Sequence, residues 1–291
     1  MKGAPGAGRD FRARLWRISR AAPLAAIVIG TPGLPKDGAM TVPTLVFQSY
    51  APERITPWLA RCLASVRDWA ALKGHAYRFL DDALFDPVPA AFAARCGDER
   101  LPVTDYARLL HARRFLADYE RVIWLDADVL VLAPERFAID PASPHLLCRE
   151  LWTWKEEDGQ RRGRWTVNNA AMAFSRTSRF LDFYIESCEA IVARAPPGRL
   201  SLGPALLAPL AALTALPLIT SIPTVSPMLM ADIVAGDPAG PRAHRDAWGA
   251  PVHAAHLCRS LLEGEGTLDL IPPGVHDEVA ERLLAGEVAL G

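Results

Sequence analysis

The chain has 291 residues, 51% of them hydrophobic and 22% charged, with a formal net charge of −1. This is ordinary globular composition, long enough for one large domain or two small ones, and a charge this near zero offers no basic footprint for nucleic acid. The five cysteines (62, 96, 148, 188 and 258) are far apart, odd in number and lack a CxxC, which disfavours a disulfide framework or zinc cluster and fits a reducing cytoplasm.

Residues 1–39 differ from the rest. A basic stretch, "RDFRARLWRISR", precedes an apolar one, "AAPLAAIVIG", and then a turn-rich "TPGLPKDGAM". An apolar run of about ten residues is too short to span a bilayer. It has the basic flank of a signal-peptide core, but no small-x-small cleavage site follows. A weak interfacial anchor, giving peripheral association with the inner face of a membrane, is another reading. The preferred one is a poorly ordered extension, with the folded domain over 40–291 and Met40 near its start.

From Thr41 onward, strand-like and helical segments alternate. "TLVFQSY" reads as a buried strand. In "TPWLARCLASVRDWAALKG", Trp58, Leu59, Cys62, Leu63, Val66, Trp69 and Ala70 recur at helical spacing, with Pro57 near the first turn and Gly74 at the end. "HAYRFL" is a second strand, a helix runs from about Val103 to Leu116, and "RVIWL" is the next strand. Then come strand-like "HLLCREL", a polar aromatic loop "WTWKEEDGQRRGRWTVNN", strand-like "AAMAFS", and a helix from about Thr177 to Ala193. A charged helix lies near Val275 to Ala285. The alternation predicts an α/β domain with a mostly parallel sheet, whose ligands bind beyond the carboxyl ends of the strands.

At one such end, "VIWLDADVLVL" sets Asp126 and Asp128 in a very apolar run with no basic neighbour. A buried carboxylate pairs, binds a metal or takes up a proton. In extended chain, residues i and i+2 project to the same side, so both carboxylates can face one ion. Hard oxygen ligands suit Mg²⁺ or Mn²⁺, with substrate phosphates completing the shell. The competing reading is a strand-end turn whose Asp side chains cap backbone amides. Asp105 and Arg108 share a helix face. They read either as an N-terminal Asp and a surface Arg, or as a face looking into the same crevice, with Arg108 meeting a sugar hydroxyl or a phosphate.

Five segments in order, "PTLVFQSY", "TDYARLLHARRFLADYERVIWLDADVLVL", "VNNAAMAFSR", "LGPALLAPL" and "HLCRSL", resemble the DXD-containing sugar transferases of glycosyltransferase family 32. That family includes fungal initiating mannosyltransferases and is related to the large clostridial glucosylating toxins. The resemblance runs from about Val42 to Leu261. It implies a GT-A fold, with a Rossmann-like sheet, a UDP- or GDP-sugar donor, a divalent metal (Mn²⁺ or Mg²⁺) and retention at the anomeric carbon. By position it places Phe47 and Gln48 beside the nucleotide, and Asp105 and Arg108 on the donor sugar. Asp126 would contact ribose and the water shell of the metal, and Asp128 the metal itself. His256 and Ser260 match a late H-x-x-x-S-W element near metal and diphosphate, although Leu261 replaces the tryptophan and His253 competes for the ligand role. Asn168 and Asn169 would face sugar or acceptor, and Gly203 with Pro204 would shape the loop under the acceptor.

The resulting expectation is a cytoplasmic, metal-dependent retaining hexosyltransferase acting on a glycan or lipid-linked acceptor, for instance in surface-polysaccharide assembly. The aromatic, basic loop with Trp152, Trp154, Arg161, Arg162, Arg164 and Trp165 is either the acceptor grip or a mobile surface lid. Two other classes compete. A haloacid-dehalogenase-like phosphatase would use Asp126 as nucleophile, but it has no place for Asp105, Arg108 or His256, and Leu130 stands where it usually has Thr or Val. A non-catalytic nucleotide- or glycan-binding protein would keep the crevice without turnover.

Overall fold

The computed structural model describes residues 43–259, 271–272 and 274–291. The N-terminal extension expected over 1–39, Met40, Ser260 and Leu261 lie outside the described residues. Strand β1 (Thr44–Ser49) leads through helix α1 (Pro57–Leu72) to β2 (Ala76–Leu80), and then through α2 (Ala90–Cys96) and α3 (Arg100–Phe115) to β3 (Arg121–Leu125). β1 pairs in parallel with both β2 and β3. Parallel neighbours need crossovers, and the predicted helices supply them. Pro57 opens α1, and Gly74 just past its end has φ +68°, a conformation that favours glycine.

Short β4 (Val129–Val131) follows, then a long hairpin of β5 (His145–Lys155) and β6 (Arg161–Ser175). The expected polar loop over this region is thus mostly strand. It projects past the sheet, so its side chains lose the alternating burial that marks a strand in sequence. Helices α4 (Arg179–Arg194) and α5 (Pro204–Leu213), strand β7 (Leu218–Ile219), helices α6 (Pro227–Ala235) and α7 (Ala239–Trp248), strand β8 (Ala254–His256) and helix α8 (Val275–Leu284) complete the order. The main sheet runs β2-β1-β3-β6-β5-β7, and β4 with β8 forms a small second sheet. Only β6 opposes the other strands of the main sheet. The fold is the expected α/β class, a mixed, mostly parallel sheet flanked by helices.

Both faces of the sheet are covered, so β1 and β3 are buried almost throughout, Gln48 and Arg121 included. Alternate residues divide between two cores. Leu45, Phe47, Val122 and Trp124 pack towards α3 and α4, while Val46, Ile123 and Leu125 pack towards Val66 and Trp69 of α1. A third cluster, with Leu59, Cys62, Leu130, Leu229 and Val279, lies under the β4–β8 pair.

Buried Arg121 at the start of β3 donates to the carbonyls of Asp140 (2.6 Å), Pro141 (3.1 Å) and Ser143 (3.0 Å), tying the chain after β4 back to the sheet. Charge-assisted bonds of this kind are lost together on truncation. Arg121→Ala should therefore lower the unfolding free energy by about 3 kcal/mol, measured by urea denaturation. A change within about 0.5 kcal/mol would show that the clamp is not structural.

Candidate functional site

The carboxyl ends of β1 and β3 open into a cleft of about 1080 Å³. β3 stops at Leu125, and the chain turns at once, with the Val129 N–H donating to the Asp126 carbonyl at 3.1 Å. Asp126 and Asp128 thus occupy a turn rather than extended chain. They converge nonetheless, because β4 begins at Val129 and pairs antiparallel with β8, bringing Val129 opposite His256. Asp126, Asp128 and His256 each present one ligand atom, all within 4.8 Å of one another.

Asp128 is buried. Its Oδ2 accepts the Arg259 backbone N–H at 2.6 Å. Its Oδ1 lies 3.5 Å from His256 Nε2 and has no hydrogen-bond partner. Between these ligands, Cys258 has φ +53°, the one positive φ at a non-glycine among the described residues. Backbone strain of this sort gathers at functional sites, and here it accompanies the turn that aims the Arg259 N–H at Asp128. His253, the rival ligand, lies outside this cluster; its carbonyl instead accepts the N–H groups of Leu132 and Ala133.

The electrostatics divide the pair. Desolvation pushes the Asp126 carboxyl above its ordinary value, against the pull of Arg108 and with help from the Asp128 charge. Desolvation also acts to raise Asp128, but His256 and the Arg259 N–H outweigh it and hold Asp128 below the usual carboxylate range. On His256, burial opposes protonation while Cys258 and Asp128 favour it, and the net direction is upward. Asp128 is the effective partner near neutrality, because burial pushes the Cys258 thiol up and keeps it uncharged.

Arg108 is buried on α3, with Nη1 donating to Asp126 Oδ1 (2.8 Å) and to the Asn169 carbonyl (2.8 Å). Its Nη2 makes a short bond to Asp105 Oδ1. Both terminal nitrogens of Arg108 are thus engaged within the protein and hold Asp105 and Asp126 in place, while the side chain borders the cleft. Asp105 lies beyond the first turn of α3, which starts at Arg100, so a helix-end role does not explain it. Desolvation raises its carboxyl against the pull of Arg108 and Asn169. Its Oδ2 is buried without a partner.

β6 makes the next contribution. Leu147 pairs with Met172 but Cys148 with Asn168, so Asn169, Ala170 and Ala171 have no partner on β5. This bulge lets two successive side chains border the cleft, which a regular strand forbids. Asn169 Nδ2 donates to Asp105 Oδ1 at 3.0 Å, and Asn168 Nδ2 to Glu150 Oε1 at 2.9 Å. Gly203 stands against them: a Cβ there would lie 3.0 Å from Asn169 Oδ1 and 3.2 Å from Asp105 Oδ2.

Phe47 and Gln48 do not border the cleft. The Phe47 ring is fully buried, edge-on to Phe115 and Trp124. Gln48 donates to the Asp126 carbonyl at 3.0 Å and accepts from Tyr77 at 3.0 Å, bracing the turn from below. Ser49, at the end of β1, and Tyr50 and Arg54 beyond it border the cleft instead. Of the predicted aromatic and basic group, Trp152, Arg164 and Trp165 line it. Arg161 bonds Asp232 and Asp237, and Trp154 bonds Glu156.

Sequence reasoning missed the Trp124 indole, which donates to Asp126 Oδ1 at 2.6 Å, and the buried residues Glu150 and Thr224. Trp124 two residues before Asp126, and a lone acid in strand-like "HLLCREL", were the available signals. Thr224 carries none.

Two substitutions test this architecture. Arg108→Leu leaves Asp105 buried and unpaired and should cost about 3–5 kcal/mol of stability. Gly203→Ala crowds the Asp105–Asn169 bond and should cost about 1–3 kcal/mol. Urea denaturation of both variants measures these losses, and near-neutral values would refute the buried network.

No protein-family model and no curated protein matches the chain. Among solved structures it is similar to a glycosyltransferase involved in the glycosylation of the major capsid of PBCV-1, at 12% identity and TM-score 0.43, covering 82% of this chain and 98% of that one. It is also similar to mouse xyloside xylosyltransferase 1 in its apo form, at 11% identity and TM-score 0.38, covering 75% of this chain and 98% of that one.

Proposed function

We propose that the chain is a metal-dependent, retaining glycosyltransferase of GT-A type, related to glycosyltransferase family 32. It would move a hexose from a UDP- or GDP-sugar to a hydroxyl of a glycan or lipid-linked acceptor. The observation that carries this reading is the orphaned Asp128 Oδ1, buried between Asp126 and His256 on the floor of a large cleft. A buried carboxylate oxygen without a hydrogen bond is costly unless a cation meets it. Two carboxylates and an imidazole suit Mn²⁺ or Mg²⁺, with phosphate oxygens completing the set.

A divalent cation bound there supplies positive charge against the departing diphosphate. Asp128 and His256 would hold it. Asp126 commits Oδ1 to Arg108 and Trp124, which leaves Oδ2 for ribose or a bridging water. Asp105, fixed by Arg108 and Asn169, offers its unpartnered Oδ2 to a donor-sugar hydroxyl. The bond from the anomeric carbon to the diphosphate oxygen breaks through an oxocarbenium-like state. The acceptor hydroxyl attacks from the same face, and its proton passes to the departing oxygen. Trp152, Arg164 and Trp165 form the acceptor side. The phosphatase reading is disfavoured because it gives no role to Asp105, Arg108 and His256, which the cleft brings beside Asp126.

Thermal-shift screening of nucleotides and nucleotide sugars, with and without Mn²⁺, tests the reading. The correct donor should raise the melting point only with metal, by mass action. Slow Mn²⁺-dependent hydrolysis of that donor should vanish in Asp128→Ala. A wild-type protein with neither turnover nor metal-dependent nucleotide binding would sink the proposal.

A further inference from the structure

Behind His256, on the side away from Asp128, lies a buried polar chain. We propose that Glu150 and Thr224 select which ring nitrogen of His256 faces the cation position, and so act as positioning residues for that ligand. The inference rests on the reading of Asp126, Asp128 and His256 as a cation site.

The hydroxyl of Thr224, a fully buried residue, donates to Glu150 Oε1 at 3.1 Å, and the same oxygen accepts Asn168 Nδ2 at 2.9 Å. Thr224 Oγ1 also lies 3.4 Å from His256 Nδ1. A hydroxyl has one proton, and an ionised carboxylate can only accept. With that proton committed to Glu150, Thr224 can only accept from the imidazole. Thr224 therefore favours a hydrogen on Nδ1, which leaves the Nε2 lone pair, 3.5 Å from Asp128 Oδ1, for a cation bound there. Partners that fix the remote nitrogen of a metal-binding histidine in this way set its tautomer and ring orientation.

One group competes. Cys258 Sγ lies 3.7 Å from Nδ1, and a thiol donating there would demand the opposite tautomer. A thiol is a weak donor, and this one also has the His256 carbonyl at 3.8 Å. A hydroxyl bound to a carboxylate is the stronger arrangement. The spacing between Thr224 and His256 does not depend on their side chains. The two residues form a backbone bridge, with Val225 N–H donating to the His256 carbonyl at 2.8 Å and His256 N–H to the Pro223 carbonyl at 2.9 Å. Removing the hydroxyl alone should leave the ring where it is and free its proton to move.

The test uses the full chain with Thr224→Val, which is isosteric, and Thr224→Ser, which restores the oxygen. ¹⁵N NMR of the metal-free protein, at a pH high enough to leave the ring neutral, reads the His256 tautomer. Electron paramagnetic resonance of free Mn²⁺ reads affinity. Thr224→Val should lower the Nδ1–H fraction below that of wild type and weaken Mn²⁺ binding roughly 10–100-fold; Thr224→Ser should recover both. A Thr224→Val protein with unchanged Nδ1–H fraction and affinity would overturn the assignment. A lowered Nδ1–H fraction in Thr224→Val, beside a wild type that binds no Mn²⁺, upholds the positioning and rejects the cation reading instead.

Discussion

Arg108 brings a permanent charge into a place that water does not reach, and the cleft is built around the need to satisfy it. Taking a guanidinium out of water costs several kcal/mol unless its donors are met. The partners that meet them come from separate parts of the chain: Asp105 from α3, Asp126 from the turn after β3, and the Asn169 carbonyl from the bulge of β6. The Trp124 ring lies 5.1 Å beneath the guanidinium and donates to the same Asp126 oxygen. One side chain thus fixes the relative positions of helix, turn and bulge. It also explains why the bulge persists, since a regular β6 would move that carbonyl.

Charge balance connects Arg108 to the cation position. Three carboxylates, Asp105, Asp126 and Asp128, gather around one guanidinium and one imidazole. With all three ionised and a neutral imidazole, these groups carry two more negative charges than positive ones in a weakly solvated place, and Glu150 borders the same cleft. A dication offsets more of that excess than one proton on His256. The two aspartates also differ in what they can still do. Asp126 is bound by cationic and indole donors, while Asp128 Oδ1 has no hydrogen bond and only the His256 ring facing it at 3.5 Å. Under the proposed function this is the division of labour between a nucleotide contact and a direct ligand.

How much of this was legible in the sequence depends on the distance over which each feature is specified. The i,i+3 spacing of Asp105 and Arg108 and the D-x-D after an apolar strand are local, and the structure brings all four residues together. Helical and strand periodicities are also local, and they placed β1 to β3 and α1 well. Phe47 and Gln48 were displaced by two residues from the true rim at Ser49 and Tyr50, because strand pattern does not say where the neighbouring strands end. The β5–β6 hairpin looked like a loop because its outer half leaves the main sheet and is held by polar and aromatic contacts, such as Arg161 to Asp232 and Trp165 to Trp248, that impose no apolar alternation. The bulge depends on register between two strands, and Thr224 lies 74 residues from Glu150. No local pattern could reveal that meeting.

The late position of His256 has a mechanical consequence. It reaches the aspartates through the β4–β8 pair, a ribbon of three residue pairs, and so small a sheet is marginal by itself. Apolar packing beneath it, from Leu130, Ala255 and Leu257 onto Leu229 and Met230, supplies the support that the backbone bonds cannot. The Leu257 N–H to the Asp128 carbonyl, and the Arg259 N–H to its carboxylate, then fasten the chain after β8 to the turn after β3. Cations held by Asp126, Asp128 and His256 would bridge segments more than a hundred residues apart in sequence. Binding at such a place closes a long loop, so metal occupancy and the docking of the C-terminal third onto the sheet become one equilibrium, read by the same melting curve.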